Sequence, residues 1–473
     1  MNPEEFRRQG HELIDWIADY LDNAEQYPVL SRSQPGEIRD QLPQHPPEAG
    51  EPMDLILKDF RETILPGITH WNHPRFFAYF PANNSGPSIL GELLSAGLGV
   101  NAMLWQTSPA ATELEETVMQ WLGELIGLPD GFHGVIQDTA STATLCALIC
   151  ARERTTSHSI NKMGPDGLAG AGSLRIYTSS EAHSSVLKGA KIAGFGSENV
   201  VLVETDENLA MDPECLDRRI GMDLAGGLVP CCISATVGTT SSTAMDPLVA
   251  IGKIARRHGL WLHVDAALAG SAAIVPEYRW IFEGIEAADS MVFNPHKWLL
   301  TNFDCSAYFV RDPEHLQKTM AINPEYLKTN QDNRVNNFRD WGIPLGRRFR
   351  ALKLWFVLRN YGAVKLREMI SLHIGLAKSF SDWVEESPQW ELLAPVPLNT
   401  VCFRWNPGEL DEMELEAGNK ELLDRVNADG TIYLTHTKLR GQFALRVAIG
   451  QTATREEHVV QAWEKLNEVM GNL

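Results

Sequence analysis

The spacing of apolar residues predicts a helix at the start of the chain, over residues 4–22. The apolar positions fall on one stripe of that helix, and acidic and arginine residues occupy its other faces. A proline-rich stretch from Pro28 to Pro52 follows, and we expect it to be extended. A single helix and an extended arm cannot bury enough apolar surface to fold independently, so we expect them to lie against a larger body such as a second subunit. The stripe consists of Phe6, Leu13, Ile14, Ile17 and Leu21.

Short apolar runs alternate with helical patterns through the centre of the chain. The alternation extends over about 200 residues and predicts a mostly parallel α/β sheet, which binds ligands at the carboxyl ends of its strands. Asp246 is predicted to cap a helix that has Pro247 at its first position and Gly259 just past its end. Thr112 and Glu115 are predicted to form the capping box of an earlier helix. The runs that predict strands are Leu174–Thr178, Val200–Glu204, Cys231–Thr236, Leu260–Asp265, Ser290–Phe293 and Cys305–Val310.

Residues 321–342 interrupt this pattern with a polar stretch, AINPEYLKTNQDNRVNNFRDWG. A long polar loop inside a compact domain usually has a function, so we expect a mobile functional loop here. Helices and strands resume after it and predict a small C-terminal α+β domain. The predicted division is therefore an N-terminal helical and extended arm over 1–85, a large domain over 86–346 and a small domain over 347–473.

Composition excludes several classes of partner and site. The 473 residues carry a net charge of −20, whereas a nucleic acid or an anionic membrane needs a basic surface. The seven cysteines are odd in number and scattered, which indicates reduced thiols and offers no zinc site. The N-terminus lacks the pattern of a signal peptide, and no apolar run approaches the length that spans a bilayer. We therefore expect a cytoplasmic protein with no metal ion, nucleic-acid partner or membrane partner.

The sequence SMVFNPHKWLL places a lysine at the exit of a predicted strand. The apolar run ends at Asn294, Pro295 ends the hydrogen bonding of the strand, and His296 and Lys297 follow. Burial among apolar neighbours disfavours the ammonium form, which makes the amine of Lys297 a better nucleophile towards an aldehyde. The alternative is an ordinary surface lysine at a strand end.

The sequence LWLHVDAALAG places a carboxylate at the exit of another strand. Asp265 follows a mostly apolar run, and a carboxylate buried there needs a partner. A protonated pyridine nitrogen is suitable, because the anion keeps the ring cationic and able to accept electrons from a breaking bond. The alternative is a helix cap. Small residues that would let a flat ring approach follow the carboxylate: Ala266, Ala267, Ala269 and Gly270.

Two further strand exits carry polar side chains. In VIQDTASTATL, Thr139, Ala140 and Ser141 begin a helix, and the free N–H groups of a helix start bind phosphate. In SSEAHSSVLKGA, His183 lies between a strand and a helix, where an imidazole stacks on a ring or moves protons. Capping alone is the alternative for the first motif, and a structural histidine is the alternative for the second.

The four motifs follow the order phosphate site, stacking group, carboxylate and lysine. This order resembles the large domain of pyridoxal phosphate (PLP) enzymes of the aspartate-aminotransferase fold, fold type I. In detail the chain resembles the group II amino-acid decarboxylases, and among them the aromatic-L-amino-acid decarboxylases, over almost its whole length. The segments that carry the resemblance are HPRFFAYFP at 73–81, SPAATELEETVMQWLGELIGLP at 108–129, HVDAA, NPHKW and WGIPLGRRFRALKLWF at 341–356.

The resemblance implies a role for each matching residue. Lys297 would hold PLP as a Schiff base, and Asp265 would pair with the pyridine nitrogen. His183 and Ala267 would contact the two faces of the ring, and Tyr326 would protonate the substrate carbon. Phosphate and other cofactor contacts are expected from Thr139, Ala140, Ser141, Thr240, Asn294 and His296. Substrate contacts are expected from Trp71, Tyr79, Phe80, Pro81, Asn101, Met103 and Gly346.

The resemblance also implies a homodimer with active sites at the subunit interface and the N-terminal arm over the partner. The expected reaction converts dopa, 5-hydroxytryptophan, tryptophan, tyrosine or phenylalanine to its amine and carbon dioxide. Some positions depart from the animal enzymes. Leu268 replaces the tyrosine of HVDAAY, and Asn101 and Met103 replace apolar and aromatic residues expected to reach across the interface. Gly346 stands where the related histidine decarboxylases carry serine, which favours aromatic substrates over histidine.

Three other functions remain as alternatives. The nearest is a PLP-dependent aromatic aldehyde synthase, which consumes oxygen and releases aldehyde, ammonia and peroxide. A transaminase shares the fold and cofactor but less of the resemblance. From a different class, the chain could be a dinucleotide-binding or non-enzymatic protein. A dinucleotide-binding loop lies between a strand and a helix, whereas Gly167, Gly170 and Gly172 precede a predicted strand.

Overall fold

A computed structural model describes residues 1–168, 172–322, 324–327, 329–331 and 334–471 of the chain. Its α-helices are α1 (Pro3–Asp22), α2 (Glu37–Gln41), α3 (Met53–Asp59), α4 (Gly86–Leu98), α5 (Pro109–Ile126), α6 (Ala140–Thr155), α7 (Ser159–Met163), α8 (Ser185–Ile192), α9 (Pro213–Ala225), α10 (Leu248–His258), α11 (Pro295–Trp298), α12 (Pro313–Met320), α13 (Arg350–Glu386, interrupted at Gly362), α14 (Glu412–Asp429) and α15 (Glu456–Met470). Its strands are β1 (His133–Gln137), β2 (Leu174–Ser179), β3 (Val200–Val203), β4 (Val229–Thr236), β5 (Trp261–Asp265), β6 (Ser290–Phe293), β7 (Ser306–Val310), β8 (Trp390–Leu392), β9 (Thr400–Trp405), β10 (Thr435–Leu439) and β11 (Gln442–Ala448).

The larger sheet has the strand order β1-β7-β6-β5-β4-β2-β3. Only β7 is antiparallel to its neighbours, so the other strands all point the same way and end at one edge. The central strands β5, β6 and β7 are buried along their whole length, which explains why they appear in the sequence as continuous apolar runs. The predicted mostly parallel α/β fold is confirmed.

Two glycines let the segments at that edge approach one another closely. A Cβ on Gly270 would lie 2.3 Å from the Cβ of Phe293, so the turn after β5 packs directly on β6. Gly238 has φ +84°, and a Cβ there would lie 2.6 Å from the Cβ of Ala269. The loops after β4 and β5 are therefore in van der Waals contact at the positions where the sequence places its polar motifs.

The chain forms two compact units. One comprises Met1–Pro81, Asp382–Glu391 and Phe403–Leu473, and the other comprises Ala82–Ser381 and Leu392–Cys402. The second sheet of the protein has the order β10-β11-β9-β8, with β10 and β11 antiparallel. The three-part division predicted from the sequence, with boundaries after residues 85 and 346, stays a prediction.

Some local predictions are confirmed and others are wrong. The N-terminal helix spans Pro3–Asp22 as expected, but the proline-rich stretch is not wholly extended, because α2 lies within it. Asp246 does not cap α10; its carboxylate accepts hydrogen bonds from the backbone N–H groups of Thr236 and Met211, both at 2.7 Å. Helix α5 is capped by Ser108, so the predicted capping box further along the helix is wrong.

The polar stretch 321–342 is described in part. Two short 3-10 turns occur in it, Glu325–Leu327 and Phe338–Asp340. The side chain of Tyr326 lies outside the described residues, as does Gly170 of the glycine-rich stretch. All seven cysteines are described, buried and free of disulfide bonds. Among the described residues, no helix has the length and apolar character that crossing a membrane requires.

A buried histidine of β5 makes the stability of the fold depend on pH. His263 is fully buried, and burial lowers its pKa to about 4. Its Nδ1 lies 2.9 Å from the hydroxyl of Ser290, which accepts a hydrogen bond from the indole of Trp261. The hydroxyl proton of Ser290 is thus available to Nδ1, and the ring is neutral in the folded protein.

We expect this group to destabilise the fold in acid. A histidine in the unfolded chain has a pKa near 6.5, so as the pH falls it is protonated in the unfolded state before it is protonated in the folded state. The free energy of unfolding therefore decreases from about pH 6.5 down to the pKa of His263 in the folded protein. At pH 5 the loss from one such histidine is about 2 kcal/mol. Denaturant unfolding at pH 7.5 and pH 5 should show that His263→Gln loses less stability than the wild type, whereas His45→Gln, at an exposed position, behaves as the wild type. Equal losses in all three proteins would contradict this role of His263.

Candidate active site

The polar motifs predicted from the sequence converge on one edge of the larger sheet. Asp265 is the last residue of β5, and Lys297 follows the end of β6 by four residues. His183 follows β2, and Thr139 follows β1 by two residues. Because these four strands point the same way, all four side chains belong to the carboxyl edge, where α/β sheets bind ligands.

Lys297 lies in the single turn of α11 and is half-buried. Its N–H donates to the carbonyl of Asn294 at 2.9 Å, and its own carbonyl accepts from Nδ2 of Asn83 at 2.6 Å. The main chain of the lysine is therefore held on both sides. The structure does not favour the alternative of an ordinary surface lysine.

Asp265 is buried, with 4% of its surface exposed. One carboxylate oxygen accepts the N–H of Ala267 at 3.0 Å, but this contact caps no helix, because the next helical segment, Ala269–Ile274, has Leu268 at its N-cap and no side-chain cap. Its backbone carbonyl accepts from Val237 at 2.9 Å. Within the described part of the chain the carboxylate forms no salt bridge, so a cationic ligand could pair with it directly.

The charges of Lys297 and Asp265 both act on the imidazole of His183. Partial burial and the charge of Lys297 lower its pKa, and the carboxylate of Asp265 opposes that shift. Much of the ring surface remains exposed. Its Nδ1 accepts the N–H of Ser185 at 3.1 Å, so in the neutral ring the proton lies on Nε2. A neutral imidazole with an exposed ring, close to an amine and a carboxylate, suits stacking on an aromatic ligand.

The start of α6 carries backbone N–H groups of the kind that bind anions. Thr139 is the N-cap, and its hydroxyl accepts the N–H of Thr142 at 3.4 Å. The N–H groups of Ala140 and Ser141, in the first turn, have no acceptor within the helix. The N–H of Thr139 donates to the carboxylate of Asp138 at 2.7 Å. Its hydroxyl lies 3.5 Å from the same carboxylate oxygen and 3.3 Å from the hydroxyl of Thr142, so an anion would replace those contacts to reach it.

Two residues flanking the lysine turn are held by internal hydrogen bonds. Asn294 accepts from the hydroxyl of Ser306 at 2.6 Å. His296 is buried, and its Nδ1 accepts the N–H of Cys305 at 2.9 Å. Burial and the charge of Lys297 lower the pKa of His296 to about 3, so the ring is neutral. Of the other predicted cofactor residues, Ala267 is half-buried and Thr240 is exposed on the loop after β4.

Four of the predicted substrate residues belong to the first compact unit. The rings of Trp71 and Tyr79 stack with centroids 5.8 Å apart, and both are exposed. Phe80 lies under the guanidinium of Arg446, 4.5 Å from the ring centroid, and Pro81 is buried. This unit therefore presents an exposed aromatic pair.

The other three predicted substrate residues belong to the second unit. Oδ1 of Asn101 accepts the N–H of Arg347 at 3.0 Å, and a Cβ on Gly346 would lie 3.8 Å from Nδ2 of Asn101. The carbonyl of Met103 accepts the N–H of Arg339 at 3.0 Å. The structure thus brings Asn101 and Gly346 together, although they are far apart in the sequence.

Two features of the site were missed by sequence reasoning. Asn83 holds the main chain around Lys297, and only the paired asparagines of FPANNSGPS hinted at it. Glu115, assigned to a helix cap, forms a buried ion pair with Arg347 at 2.7 Å and accepts the N–H of Ile136 in β1. No local pattern signals that pair, because its members are 232 residues apart.

The residues present fit PLP. Its phosphate needs the N–H groups and hydroxyl at the start of α6, and its aldehyde needs an amine such as that of Lys297. Its ring nitrogen, once protonated, needs a buried anion, and Asp265 is a buried carboxylate without a cationic partner among the residues described.

Comparison with known proteins agrees with this fit. A family model described as the pyridoxal-dependent decarboxylase conserved domain matches residues 35–406. The chain is 47% identical over 478 residues to a phenylacetaldehyde synthase of Arabidopsis thaliana, with 99% of this chain and 96% of the relative covered. It is 46% identical over 482 residues to tyrosine decarboxylase 3 of Petroselinum crispum, with coverage of 99% and 92%. The crystal structure of Oryza sativa TDC with PLP and tryptamine matches with a TM-score of 0.96 and 38% identity, covering 100% of this chain and 99% of that chain. This chain belongs to the family of pyridoxal-dependent decarboxylases, and within it to the aromatic-L-amino-acid decarboxylases.

Proposed function

We propose that the protein removes the α-carboxylate of an aromatic L-amino acid and releases the amine and carbon dioxide, with PLP held at Lys297. The placement of Lys297, Asp265 and His183 at one sheet edge carries this proposal. An amine, a buried anion and an exposed neutral imidazole are the groups that a ring with an aldehyde and a basic nitrogen requires.

When bound, PLP supplies a ring that accepts the electron pair left by the departing carboxylate. Asp265 holds the proton on the ring nitrogen, and its burial strengthens that attraction because little water screens it. The start of α6 binds the phosphate through the N–H groups of Ala140 and Ser141 and the hydroxyl of Thr139. The amine of Lys297 attaches the cofactor and releases the product.

Three further side chains contact the ring or supply the proton. His183 stacks on one ring face, and its lowered pKa keeps it neutral, so it does not repel a cationic ring. Ala267 packs against the other face. Tyr326 delivers a proton to the α-carbon after carbon dioxide has left, while the loop that carries it excludes water and oxygen. Thr240, Asn294 and His296 complete the cofactor contacts.

The exposed aromatic pair of Trp71 and Tyr79 supports an aromatic side chain as the substrate group. Phe80, Pro81, Asn101, Met103 and Gly346 are the other residues that we assign to the substrate. The names of the related proteins, a phenylacetaldehyde synthase and a tyrosine decarboxylase, also refer to aromatic compounds.

We further propose that the protein is a homodimer. Helix α4 carries four exposed leucines spaced along one face, and a face of that kind is typical of an interface between proteins. Phe6, Leu13 and Ile14 of α1 are exposed as well, which fits an N-terminal helix that packs on a partner. The four leucines are Leu90, Leu93, Leu94 and Leu98.

A panel of aromatic amino acids tests the proposed reaction. Dopa, 5-hydroxytryptophan, tryptophan, tyrosine and phenylalanine are each incubated with the holoenzyme, with histidine as the non-aromatic comparison. Carbon dioxide, amine, ammonia and peroxide are measured together. We expect at least one aromatic amino acid to give equal amounts of carbon dioxide and amine, with a higher kcat/KM than histidine.

Lys297→Ala tests the assignment of the lysine that holds PLP. Lys191→Ala is the matched control, because Lys191 is an exposed lysine on α8. We expect the first to lose turnover while still binding some PLP through its phosphate, and the second to keep wild-type turnover. Steady-state decarboxylation by Lys297→Ala at the wild-type rate would refute the assignment of the lysine.

Tyr326→Phe tests the choice between decarboxylase and aldehyde synthase. After carbon dioxide has left, the substrate carbon is electron-rich, and it either takes a proton or reacts with oxygen. A phenol at that carbon favours protonation because it donates a proton at short range. Phenylalanine keeps the shape and removes the proton, so we expect amine to fall and oxygen-dependent ammonia and peroxide to rise.

The measurement follows amine, ammonia and peroxide from Tyr326→Phe in air and under nitrogen. Tyr361→Phe, on the long helix α13 and outside the site, is the matched control. An unchanged amine yield without oxygen-dependent peroxide would show that Tyr326 is not the proton donor.

A further inference from the structure

Asn83 makes two hydrogen bonds to the main chain around Lys297. Its backbone N–H donates to the carbonyl of His296 at 3.0 Å, and its side-chain Nδ2 donates to the carbonyl of Lys297 at 2.6 Å. Asn83 is 1% exposed, so both bonds are shielded from water. One residue therefore fixes the two peptide planes that flank the α-carbon of the lysine.

The next residues of the same segment hold the far end of the lysine turn. The hydroxyl of Ser85 donates to the carbonyl of Leu300 at 2.7 Å, and both residues are buried. Leu300 has φ +53°, a left-handed conformation that costs a leucine about 1–2 kcal/mol. Such a conformation persists only where the surroundings enforce it. The segment 83–85 thus forms hydrogen bonds with both ends of the turn 296–300.

Helix capping does not account for Asn83. Ser85 is the N-cap of α4 and forms a capping box with Ser88. Asn83 lies two residues before the cap, where its side chain has no part in closing the helix. Its amide is turned instead towards the carbonyl of the lysine.

We propose that Asn83 is a positioning residue for Lys297. This inference rests on the proposed function, in which the amine of Lys297 attaches the cofactor and releases the product. An amine at the end of a flexible side chain reaches the same point repeatedly only if its α-carbon is fixed. A displacement of about 1 Å at a reacting group costs about 100-fold in rate. Asn83 acts on the lysine through the main chain and does not itself contact substrate.

Two variants separate the hydrogen bond from the shape of the side chain. Asn83→Ala removes both the shape of the side chain and the donor, and Asn83→Leu keeps nearly the same size and shape but has no donor. Asn419→Ala is the matched control, because Asn419 is buried and its Nδ2 donates to the carbonyls of Trp405 and Leu415, both at 2.8 Å, in the other compact unit. All three variants lose buried hydrogen bonds from an asparagine.

We expect both Asn83 variants to lower the kcat of the holoenzyme by about 10- to 100-fold with little change in KM, because the substrate contacts are untouched. A second readout uses cofactor-free protein and no substrate. The rate at which an amine-reactive reagent labels Lys297, measured by peptide mass spectrometry relative to the exposed Lys191 of the same molecule, should rise several-fold. Asn419→Ala should lower the melting temperature and leave kcat and labelling unchanged.

The proposal is overturned if the Asn83 variants lower only the melting temperature, as Asn419→Ala does, and leave kcat and labelling of Lys297 at wild-type values. It is also overturned if Asn83→Leu retains wild-type kcat and labelling, because the Nδ2 donor would then be unnecessary. The labelling experiment does not depend on the reaction. If the wild-type protein decarboxylated no aromatic amino acid, the proposed function would be refuted. The difference in the labelling rate of Lys297 between the wild type and the Asn83 variants would still test the role of Asn83.

Discussion

Hydrogen bonds between the exits of three parallel strands hold the site together. At the end of β4, Val237 donates to the carbonyl of Asp265, and just beyond β5, Ala266 donates to Val292 of β6. Asn294, at the exit of β6, donates back to Ala267, and all three bonds measure 2.9 Å. Because these bonds continue the ladder past the strands, the loops that carry the carboxylate and the lysine keep the register of the sheet. A shift of one residue in that register would turn Asp265 to the opposite face.

The same edge explains how a strongly acidic protein binds an anionic cofactor. The net charge of −20 acts over the whole surface and is screened by salt, whereas in the proposed arrangement the N–H groups at the start of α6 would bind the phosphate directly. In the same arrangement the buried carboxylate of Asp265 would pair with the positive charge on the ring nitrogen. The neutral rings of His183 and His296 add hydrogen-bonding and stacking groups without adding charge. Local geometry, not overall charge, therefore sets what the edge binds.

Sequence reasoning succeeded where a signal is local and failed where a partner is distant. Continuous apolar runs identified the buried strands, and polar residues at or within a few positions of the strand ends are the ones that the fold brings to the sheet edge. Asp246 looks like a helix cap because it precedes Pro247, but its carboxylate binds two backbone N–H groups that no spacing rule connects. Asn83 contacts a carbonyl 214 residues away, and such contacts exist only once the fold has formed.

The most direct test of the central claim is the protonation state of the cofactor ring nitrogen. It is measured by ¹⁵N NMR in holoenzyme loaded with labelled PLP, for the wild type and for Asp265→Asn. We predict a protonated nitrogen in the wild type, an unprotonated one in Asp265→Asn, and a loss of about 100- to 1,000-fold in kcat alongside it. A nitrogen that is equally protonated in both proteins, with kcat nearly unchanged, would show that Asp265 does not face the ring and would contradict the arrangement proposed for this sheet edge.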